Sequence, residues 1–320
     1  MSRSDDPLAC VDLIAWHRYA YAKAAAEDGD FATAAEMFEQ ALERAPDWPP
    51  AWFALAEARK RLGDAERAAE AFRETLKADP SDAQGAAARL ALLGEAEPPD
   101  ALPGAYVARL FDDYAPHFNA HLTERLGYRG PELIAEALDA VAPGRRFAHA
   151  LDLGCGAGLM GGPVRERVDR LTGIDLSPAM IAKARESGLY DALETGDVLG
   201  FLARSPSPAF DLVLAADALC YFGDLEPLLA ACRRALSSGG LLAFSLETFD
   251  GEGFRLQKTM RFAHAASYVE ATARDAAFAP QVLRRASTRF EAGAEAPGLI
   301  GLFEARGESK SPSELERIAR

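Results

Sequence analysis

A glycine-rich loop between an apolar run and a helical segment is the clearest candidate for a ligand site. Gly154, Gly156 and Gly158 follow a short apolar run that contains one acidic residue, Asp152. Because glycine has no side chain, a ligand can approach the backbone and the N-terminus of the next helix closely. The spacing Gly156-x-Gly158-x-x-Gly161 also matches the pattern that binds dinucleotides, so the spacing alone leaves the ligand class open.

The elements that must position this loop alternate between strand-like and helix-like patterns. Apolar runs end near Asp175 and Ala216, and a turn at Gly239-Gly240 is expected before a fifth run. The alternation predicts an α/β fold with a doubly wound, mostly parallel sheet that binds ligands at the carboxyl ends of its strands. Two further runs, 281–290 and 299–305, have no helix between them and predict an antiparallel C-terminal hairpin at the sheet edge.

The residues around the loop resemble a known motif. The run Leu-Asp-Leu-Gly-Cys-Gly-Ala-Gly at 151–158 is similar to the first motif of class I S-adenosylmethionine (SAM) dependent methyltransferases. The resemblance implies a seven-stranded, Rossmann-like methyltransferase sheet with SAM as cofactor. It also implies that the loop amides suit the methionine carboxylate, that Asp152 suits the ammonium, and that Asp175 accepts both ribose hydroxyls. A nicotinamide cofactor, or a nucleotide fold without a ligand, is the alternative.

Further matches follow in chain order. Leu176 and Met180 resemble the family residues that pack on the adenine faces, and Asp197-Val198 resembles the motif that meets the adenine amino group. Aromatic residues before the first strand share one helical face and resemble the N-terminal lid helix of small-substrate methyltransferases. The cofactor-binding residues that the resemblance implies are Asp152, Gly154, Cys155, Gly156, Gly158, Asp175, Leu176, Met180, Asp197, Val198, Tyr114 and Phe118.

Candidates for the chemistry follow the fourth strand. Methyl transfer requires positioning above all, and a general base only where the acceptor must lose a proton. Asp217 is a base, a substrate contact or a loop cap, and Tyr221 is a pocket wall or a core residue. His264, in a stretch that resembles bacterial tetratricopeptide-repeat methyltransferases, either faces the substrate or caps the next helix. Cys220 lies where cytosine methyltransferases place a nucleophile, but Leu219 replaces their proline, so a buried structural thiol is predicted.

A metal site is not expected. His117 and His121 are one helical turn apart, which would allow them to share a metal ion. No glutamate accompanies them as in H-E-x-x-H, and no third ligand is evident in the sequence. Packing of the lid face or contact with the substrate is the preferred interpretation.

The first quarter of the chain contains an internal repeat. Gly29-Asp30 recurs as Gly63-Asp64, and small and large apolar residues follow both pairs at the same distances. This pattern resembles tetratricopeptide repeats of about 34 residues. Three prolines then interrupt the chain before the methyltransferase-like part. We predict an all-α repeat domain of two repeats and a capping helix at 1–95, a linker at 96–105, the methyltransferase domain at 106–306 and a polar tail at 307–320.

All three tryptophans lie in the repeats. The preferred interpretation places Trp16, Trp48 and Trp52 in the repeat core, and the alternative places Trp48 or Trp52 in a peptide-binding groove. Repeat arrays usually need about three units for a continuous core. We therefore expect the two repeats to pack on the second domain or to mediate self-association.

The composition excludes some classes of binding partner and indicates the cellular compartment. The 320 residues carry a net charge of −14, which argues against nucleic acid and against an anionic membrane surface. Four cysteines without a C-x-x-C pair suggest a reducing compartment, and the chain has neither a long apolar stretch nor a basic leader.

The sequence thus predicts a cytoplasmic, bacterial SAM-dependent methyltransferase whose acceptor is a small molecule or a protein. Its repeats would serve assembly or substrate recruitment. The alternative is a non-catalytic SAM-binding or scaffold protein that acts through the repeats.

Overall fold

The computed structural model describes residues 12–117, 127–291 and 293–307. The chain divides into two compact units. The first runs to Val107 and includes Leu256–Met260, and the second comprises Ala108–Arg255 and the chain from Arg261 onward. Within the described ranges, no helix combines the length and the hydropathy of a membrane span.

Five helices form most of the described part of the first unit, and the repeated Gly-Asp pair explains two of their starts. Gly29 and Gly63 adopt φ values of 85° and 81°, a left-handed conformation that glycine tolerates and that follows a helix end. The side chains of Asp30 and Asp64 then accept hydrogen bonds from backbone amides in the first turn of the next helix. The helices are α1 (Leu13–Glu27), α2 (Phe31–Leu42), α3 (Pro49–Arg61), α4 (Ala65–Ala78) and α5 (Ala86–Leu93).

Alternating small and large residues fill the core of the repeats. Ala34 is fully buried, and Phe38 and Phe72 are almost completely buried. Trp48 lies in this core, whereas Trp16 has 43% of its surface exposed. The expectation that every tryptophan belongs to the core is therefore wrong for Trp16, because the other described residues do not cover this face of α1.

The second unit is built around one mixed sheet. Its strands are β1 (Phe147–Leu153), β2 (Val168–Asp175), β3 (Ala192–Thr195), β4 (Phe210–Ala215), β5 (Leu236–Thr248), β6 (Phe254–Leu256), β7 (Phe262–His264), β8 (Phe278–Arg285) and β11 (Gly298–Ala305). The order along the main path is β3-β2-β1-β4-β5-β11-β8, and short β7 and β6 attach beside β5. The strands from β3 to β5 are parallel, and β11 is antiparallel to both of its neighbours. A separate two-stranded ribbon joins β9 (Phe290–Glu291) to β10 (Ala294–Glu295).

Among the described residues, seven helices accompany this sheet, and buried clusters cover both of its faces. They are α6 (Gly104–Tyr114), which crosses the division between the units, α7 (Gly130–Val141), α8 (Gly161–Val164), α9 (Pro178–Ser187), α10 (Val198–Arg204), α11 (Glu226–Ala235) and α12 (Ala266–Asp275). Because β1, β2, β4 and β5 are parallel, their carboxyl ends meet at one edge of the sheet.

The predicted fold class is confirmed, and two local predictions are corrected. The seven-strand path is doubly wound and ends in antiparallel strands, as expected. Gly239-Gly240 is not a turn, because both residues lie within β5, where the pairing with β4 shifts register. The first strand of the C-terminal pair begins at Phe278 and ends at Arg285, earlier than the predicted run, because the chain forms the small β9–β10 ribbon before β11.

Candidate functional site

The glycine loop lies between the end of β1 and α8, and its backbone is tightly packed. Gly154 has φ 64°, and a Cβ atom at this position would lie 2.6 Å from the Cβ of Ala218. The amides of Cys155 and Gly156 donate to the carbonyl of Ile174 and to Asp175, respectively. The Gly158 amide donates to the carbonyl of Cys155. These three amides, which the sequence analysis offered to a ligand carboxylate, are thus engaged within the protein.

The Cys155 thiol points into the protein rather than toward a ligand. Its side chain packs with Ile181 and Ala184 and is 6% exposed. Burial is the main reason that the pKa of this thiol is raised above its usual range. Any contact between Cys155 and a cofactor therefore belongs to its backbone.

Asp175 joins the end of β2 to the loop. Its Oδ2 accepts the Gly156 amide at 2.9 Å, and its Oδ1 accepts the Ser177 amide at 2.8 Å. The side chain is buried, and this burial raises the pKa of Asp175 despite the two hydrogen bonds. A carboxylate oxygen can accept more than one hydrogen bond, so Asp175 can receive two further donors, such as a pair of hydroxyls.

Asp152 is a buried carboxylate beside the loop. It is 1% exposed, and its Oδ2 accepts a hydrogen bond of 2.6 Å from the hydroxyl of Tyr190. Its Oδ1 is buried and has no hydrogen-bond partner. Burial raises the pKa of Asp152 to about 7, with a smaller contribution from the neighbouring charge of Asp175. A cationic N–H group would satisfy both the unpaired oxygen and the charge.

The other predicted cofactor residues differ in their exposure. Met180 is fully buried and Val198 is nearly so. Leu176 is half-buried beside Asp175. Asp197 is exposed and caps α10, because its side chain accepts the Gly200 amide at 2.6 Å. Phe118 lies outside the described residues, so its predicted contact remains a prediction.

Helix α6, the predicted lid, contacts the start of α9. Tyr114 and Phe111 pack on the cluster that contains Met180. The Ser177 hydroxyl donates to Asp112 at 2.5 Å, and the Ala179 amide donates to the same Oδ1 at 3.2 Å. The carboxylate of Asp112 thus lies at the N-terminus of α9, where negative charge is stabilising. Sequence analysis did not single out this residue.

Two arginines and two carboxylates form a network at the ends of β4 and β5. Arg261 donates to Asp217 at 2.5 Å, to Glu247, and to the hydroxyl of Tyr221 at 3.1 Å. Arg289 donates to Glu247 at 2.5 Å and lies 3.6 Å from Asp217. The network fixes the two predicted residues Asp217 and Tyr221 beside each other. Sequence analysis missed Glu247 and Arg289 as site residues, although a carboxylate inside an apolar strand signals that a cation must lie nearby.

Asp217 also has an unusual backbone. Its φ is 61°, a left-handed conformation that is uncommon for a residue other than glycine. Its amide donates to the Ser245 hydroxyl at 2.9 Å, which holds the turn after β4 against β5. Strained backbone of this kind concentrates at ligand-binding sites.

His264 is buried, so neither the expectation that it faces the substrate nor the alternative that it caps the next helix is supported; the N-cap of α12 is Ala265, without a side-chain hydrogen bond. The histidine is 0% exposed, and its ring stacks on Tyr268 and lies 3.0 Å, through Nε2, from the Gly223 carbonyl. Burial lowers the pKa of His264 to about 4, so the ring is neutral near pH 7. His264 ends β7 and its side chain packs in the interior, which a linear sequence cannot indicate.

The remaining chemical candidates are structural or undescribed. Cys220 is fully buried and donates from Sγ to the Asp217 carbonyl at 3.2 Å, and burial raises the pKa of this thiol. Among the residues that the structure describes, no group of three His, Cys, Asp or Glu side chains could hold a metal ion. His121 and the side chain of His117 lie outside the described residues.

Comparison with known families defines the two parts of the chain. Residues 151–244 match the family described as a methyltransferase domain, and residues 25–92 match the family described as a tetratricopeptide repeat. The second unit thus carries a methyltransferase domain and the first carries tetratricopeptide repeats, which confirms both resemblances.

Individual proteins agree with this assignment. Malonyl-(acyl-carrier protein) O-methyltransferase of Enterobacter lignolyticus is 35% identical over 139 residues, which cover 43% of this chain and 52% of that protein. Trans-aconitate 2-methyltransferase of Deinococcus radiodurans is 37% identical over 112 residues, or 34% of this chain and 42% of that protein. The chain therefore spans about half the length, or less, of these curated relatives.

Solved structures share the fold. The (4+2)-cyclase SpnF superimposes with a TM-score of 0.52 at 19% identity, covering 62% of this chain and 96% of that one. The N-methyltransferase NodS of Bradyrhizobium japonicum, in complex with S-adenosylhomocysteine, gives a TM-score of 0.50 at 18% identity, covering 63% and 99%. At this identity the likeness defines the fold alone.

Proposed function

We propose that the protein is a SAM-dependent methyltransferase. The observation that carries this proposal is the arrangement of Asp152, the glycine loop and Asp175 at the carboxyl edge of adjacent strands. The methyltransferase domain match and the curated relatives support it. The NodS structure, which holds S-adenosylhomocysteine, supports the choice of cofactor.

The described residues fit the ammonium and the ribose of SAM, whereas the three loop amides expected at its carboxylate are engaged within the protein. The buried, unpaired Oδ1 of Asp152 suits the ammonium of the methionine part, because a buried carboxylate is stabilised by a cation. Asp175 retains acceptor capacity for the two ribose hydroxyls after its two backbone hydrogen bonds. The family resemblance assigns the adenine side to Leu176, Met180, Asp197 and Val198, of which Leu176 and Asp197 are the accessible members.

Catalysis in this site rests on positioning. SAM supplies a methyl group that its sulfonium already activates, so the chain must orient the acceptor in line and exclude water. We assign the acceptor side to Asp217 and Tyr221, since Arg261 holds both of them rigidly at the ends of β4 and β5. His264 has no part in this mechanism because it is buried.

The acceptor and the role of the repeats belong to the same proposal. The acceptor is a small molecule or a group on a protein, since the curated relatives act on trans-aconitate and on a carrier-protein-bound malonyl group by their names. The repeats serve assembly or recruitment of a protein partner, in line with the tetratricopeptide match. We place the reaction in the cytoplasm on the basis of the unpaired cysteines.

Asp175→Ala tests the cofactor assignment. Titration calorimetry of the full chain should detect binding of SAM and S-adenosylhomocysteine, and the variant should bind both more weakly by at least about 1.5 kcal/mol, since two hydrogen bonds to a charged group are lost. Asp169→Ala is the matched control, because Asp169 lies at the opposite end of β2 and pairs with Arg146 on the surface. If the protein bound NADH but neither SAM nor S-adenosylhomocysteine, the cofactor assignment would be wrong.

A further inference from the structure

We propose that Tyr190 is the positioning residue of the cofactor site: its hydroxyl holds the Asp152 carboxylate so that the opposite oxygen meets the ligand ammonium, and ligand affinity follows the ionisation of Asp152. This inference rests on the proposed function. Tyr190 belongs to none of the motifs identified in the sequence, and it lies in the connection between α9 and β3.

Three glycines create the space that Tyr190 occupies. A Cβ atom at Gly158, Gly161 or Gly173 would lie within 3.0 Å of the Tyr190 ring. These glycines belong to the loop, to the start of α8 and to β2, so three separate elements enclose one aromatic ring. The enclosed ring has little freedom, and its hydroxyl is directed at the Oδ2 of Asp152 at 2.6 Å.

The hydrogen bond from Tyr190 determines how Asp152 is presented. Because Oδ2 accepts the tyrosine proton, Oδ1 is the oxygen left for a ligand, and it is buried without a partner. An unsatisfied buried acceptor is unfavourable, whereas a charged donor at that position forms a strong hydrogen bond. The same tyrosine proton favours the ionised carboxylate, since it bonds to the charged form.

The surroundings of Asp152 supply no positive charge from the described residues. The titratable groups that face it are Asp175 on β2, Tyr190, Cys155 in the loop and Tyr128 before α7. Burial and the Asp175 charge raise the pKa of Asp152 to about 7, and the Tyr190 hydrogen bond opposes this rise. In the ligand-free protein, Asp152 is therefore protonated well below pH 7 and ionised well above it.

This titration gives the affinity a defined pH dependence. An ammonium ligand binds the ionised carboxylate, so protonating Asp152 competes with binding. Below the pKa of Asp152, the apparent dissociation constant should rise by about tenfold for each pH unit, because one proton must leave for each ligand bound. Above that pKa the affinity should level off, until the ligand's own α-amino group loses its proton near about pH 8.

Tyr190→Phe separates positioning from packing. The variant keeps the ring that the three glycines enclose and loses the hydroxyl. Calorimetric titration of the full chain with S-adenosylhomocysteine, from about pH 5.5 to about pH 7.5, should show weaker binding by about threefold to tenfold at pH 7. The midpoint of the pH profile should also move to higher pH, because the hydrogen bond that favours ionised Asp152 is absent.

Tyr268→Phe is the control for loss of a partly buried tyrosine hydroxyl. Tyr268 donates to Asp224 at 3.0 Å and lies outside the proposed cofactor site, so its variant should keep the wild-type pH midpoint. Asp152→Asn gives an independent check if Tyr190→Phe does not fold, because it should bind weakly and without pH dependence in this range.

Two results would overturn the inference while leaving the proposed function intact. One is wild-type binding that does not change between about pH 5.5 and about pH 7.5, the range in which Asp152 should titrate. The other is a Tyr190→Phe profile that coincides with the wild-type profile, which would leave Tyr190 a packing residue only. Absence of any S-adenosylhomocysteine binding by the wild-type chain would instead overturn the proposed function itself.

Discussion

Gly154 is the residue at which the glycine loop tolerates least change. Its φ of 64° is unfavourable for any other residue type, and the Cβ of Ala218 leaves no room for a methyl group. Gly154→Ala should therefore destabilise the domain by about 1–2 kcal/mol from backbone strain alone, with more from the close contact. Binding of S-adenosylhomocysteine should weaken as well, because a displaced loop would disturb the hydrogen bond between the Gly156 amide and Asp175. Thermal unfolding and calorimetry measure the two effects.

Gly162→Ala is the control for that substitution. Gly162 lies in the helix that follows the loop, and a Cβ atom there would meet nothing within 4 Å. Alanine in a helix is favoured over glycine by about 1 kcal/mol, so this variant should keep or gain stability. If Gly154→Ala melted and bound like Gly162→Ala, the loop geometry described above would be wrong.

The residues that sequence analysis located are those whose neighbours are close in the chain. Asp152 and the glycines form one contiguous motif, and Asp175 ends the next strand, so a linear pattern identifies them. The hydrogen bond between Tyr190 and Asp152 joins residues that are 38 positions apart in the chain, and the one between Arg289 and Glu247 joins residues that are 42 positions apart. Such contacts depend on strand order and on the direction of each side chain, which one sequence does not record. For the same reason, the sequence left open whether His264 faces the substrate, whereas the structure buries its side chain.

At the scale of elements, one carboxylate supplies polar contacts between α6 and α9, beside the apolar packing of Phe111 and Tyr114. Asp112 accepts hydrogen bonds from the Ser177 hydroxyl and the Ala179 amide at the N-terminus of α9. Asp112→Ala removes both, so the part of α6 in the second unit should exchange its amide hydrogens faster. The affinity for S-adenosylhomocysteine should fall by about threefold to tenfold, because lid closure contributes to ligand retention.

Asp113→Ala tests whether that effect is specific. Asp113 is the next residue of the same helix, has a mostly exposed side chain and lies 3.8 Å from Arg109 on the surface. Its loss should leave exchange and affinity close to wild type, since exposed ion pairs contribute little. Equal behaviour of the two variants would mean that the hydrogen bonds of Asp112 do not hold α6.

The elements themselves were predicted well where their periodicity is strong. The buried strand β4 and the Gly-Asp turns between the repeat helices follow directly from apolar runs and capping residues. Gly239-Gly240 was misassigned because glycine pairs signal a turn in isolation, whereas here they allow a register shift inside β5. Local chemistry thus identifies a break in regular geometry without specifying its kind.

At the scale of the whole molecule, the proposed cofactor site and the repeats lie in different units. The described residues assigned to SAM and to the acceptor lie between Tyr114 and Tyr221, in the second unit. The first unit carries two repeats and the capping helix α5, together with exposed apolar side chains on α1, including Leu13 and Tyr21. This division agrees with the proposal that the repeats serve assembly or recruitment rather than cofactor binding.

Removal of residues 1–100 tests whether the repeats contribute to cofactor binding. The shortened chain should still bind S-adenosylhomocysteine with an affinity within about threefold of the full chain, because the contacts that define the cofactor site are made within the second unit. Circular dichroism and light scattering establish that the shortened protein is folded and of defined mass before calorimetry is performed. Asp175→Ala in the shortened chain should weaken binding as much as in the full chain, since the same two hydrogen bonds are lost. A folded shortened protein that bound no S-adenosylhomocysteine would mean that the repeats contribute to the cofactor pocket.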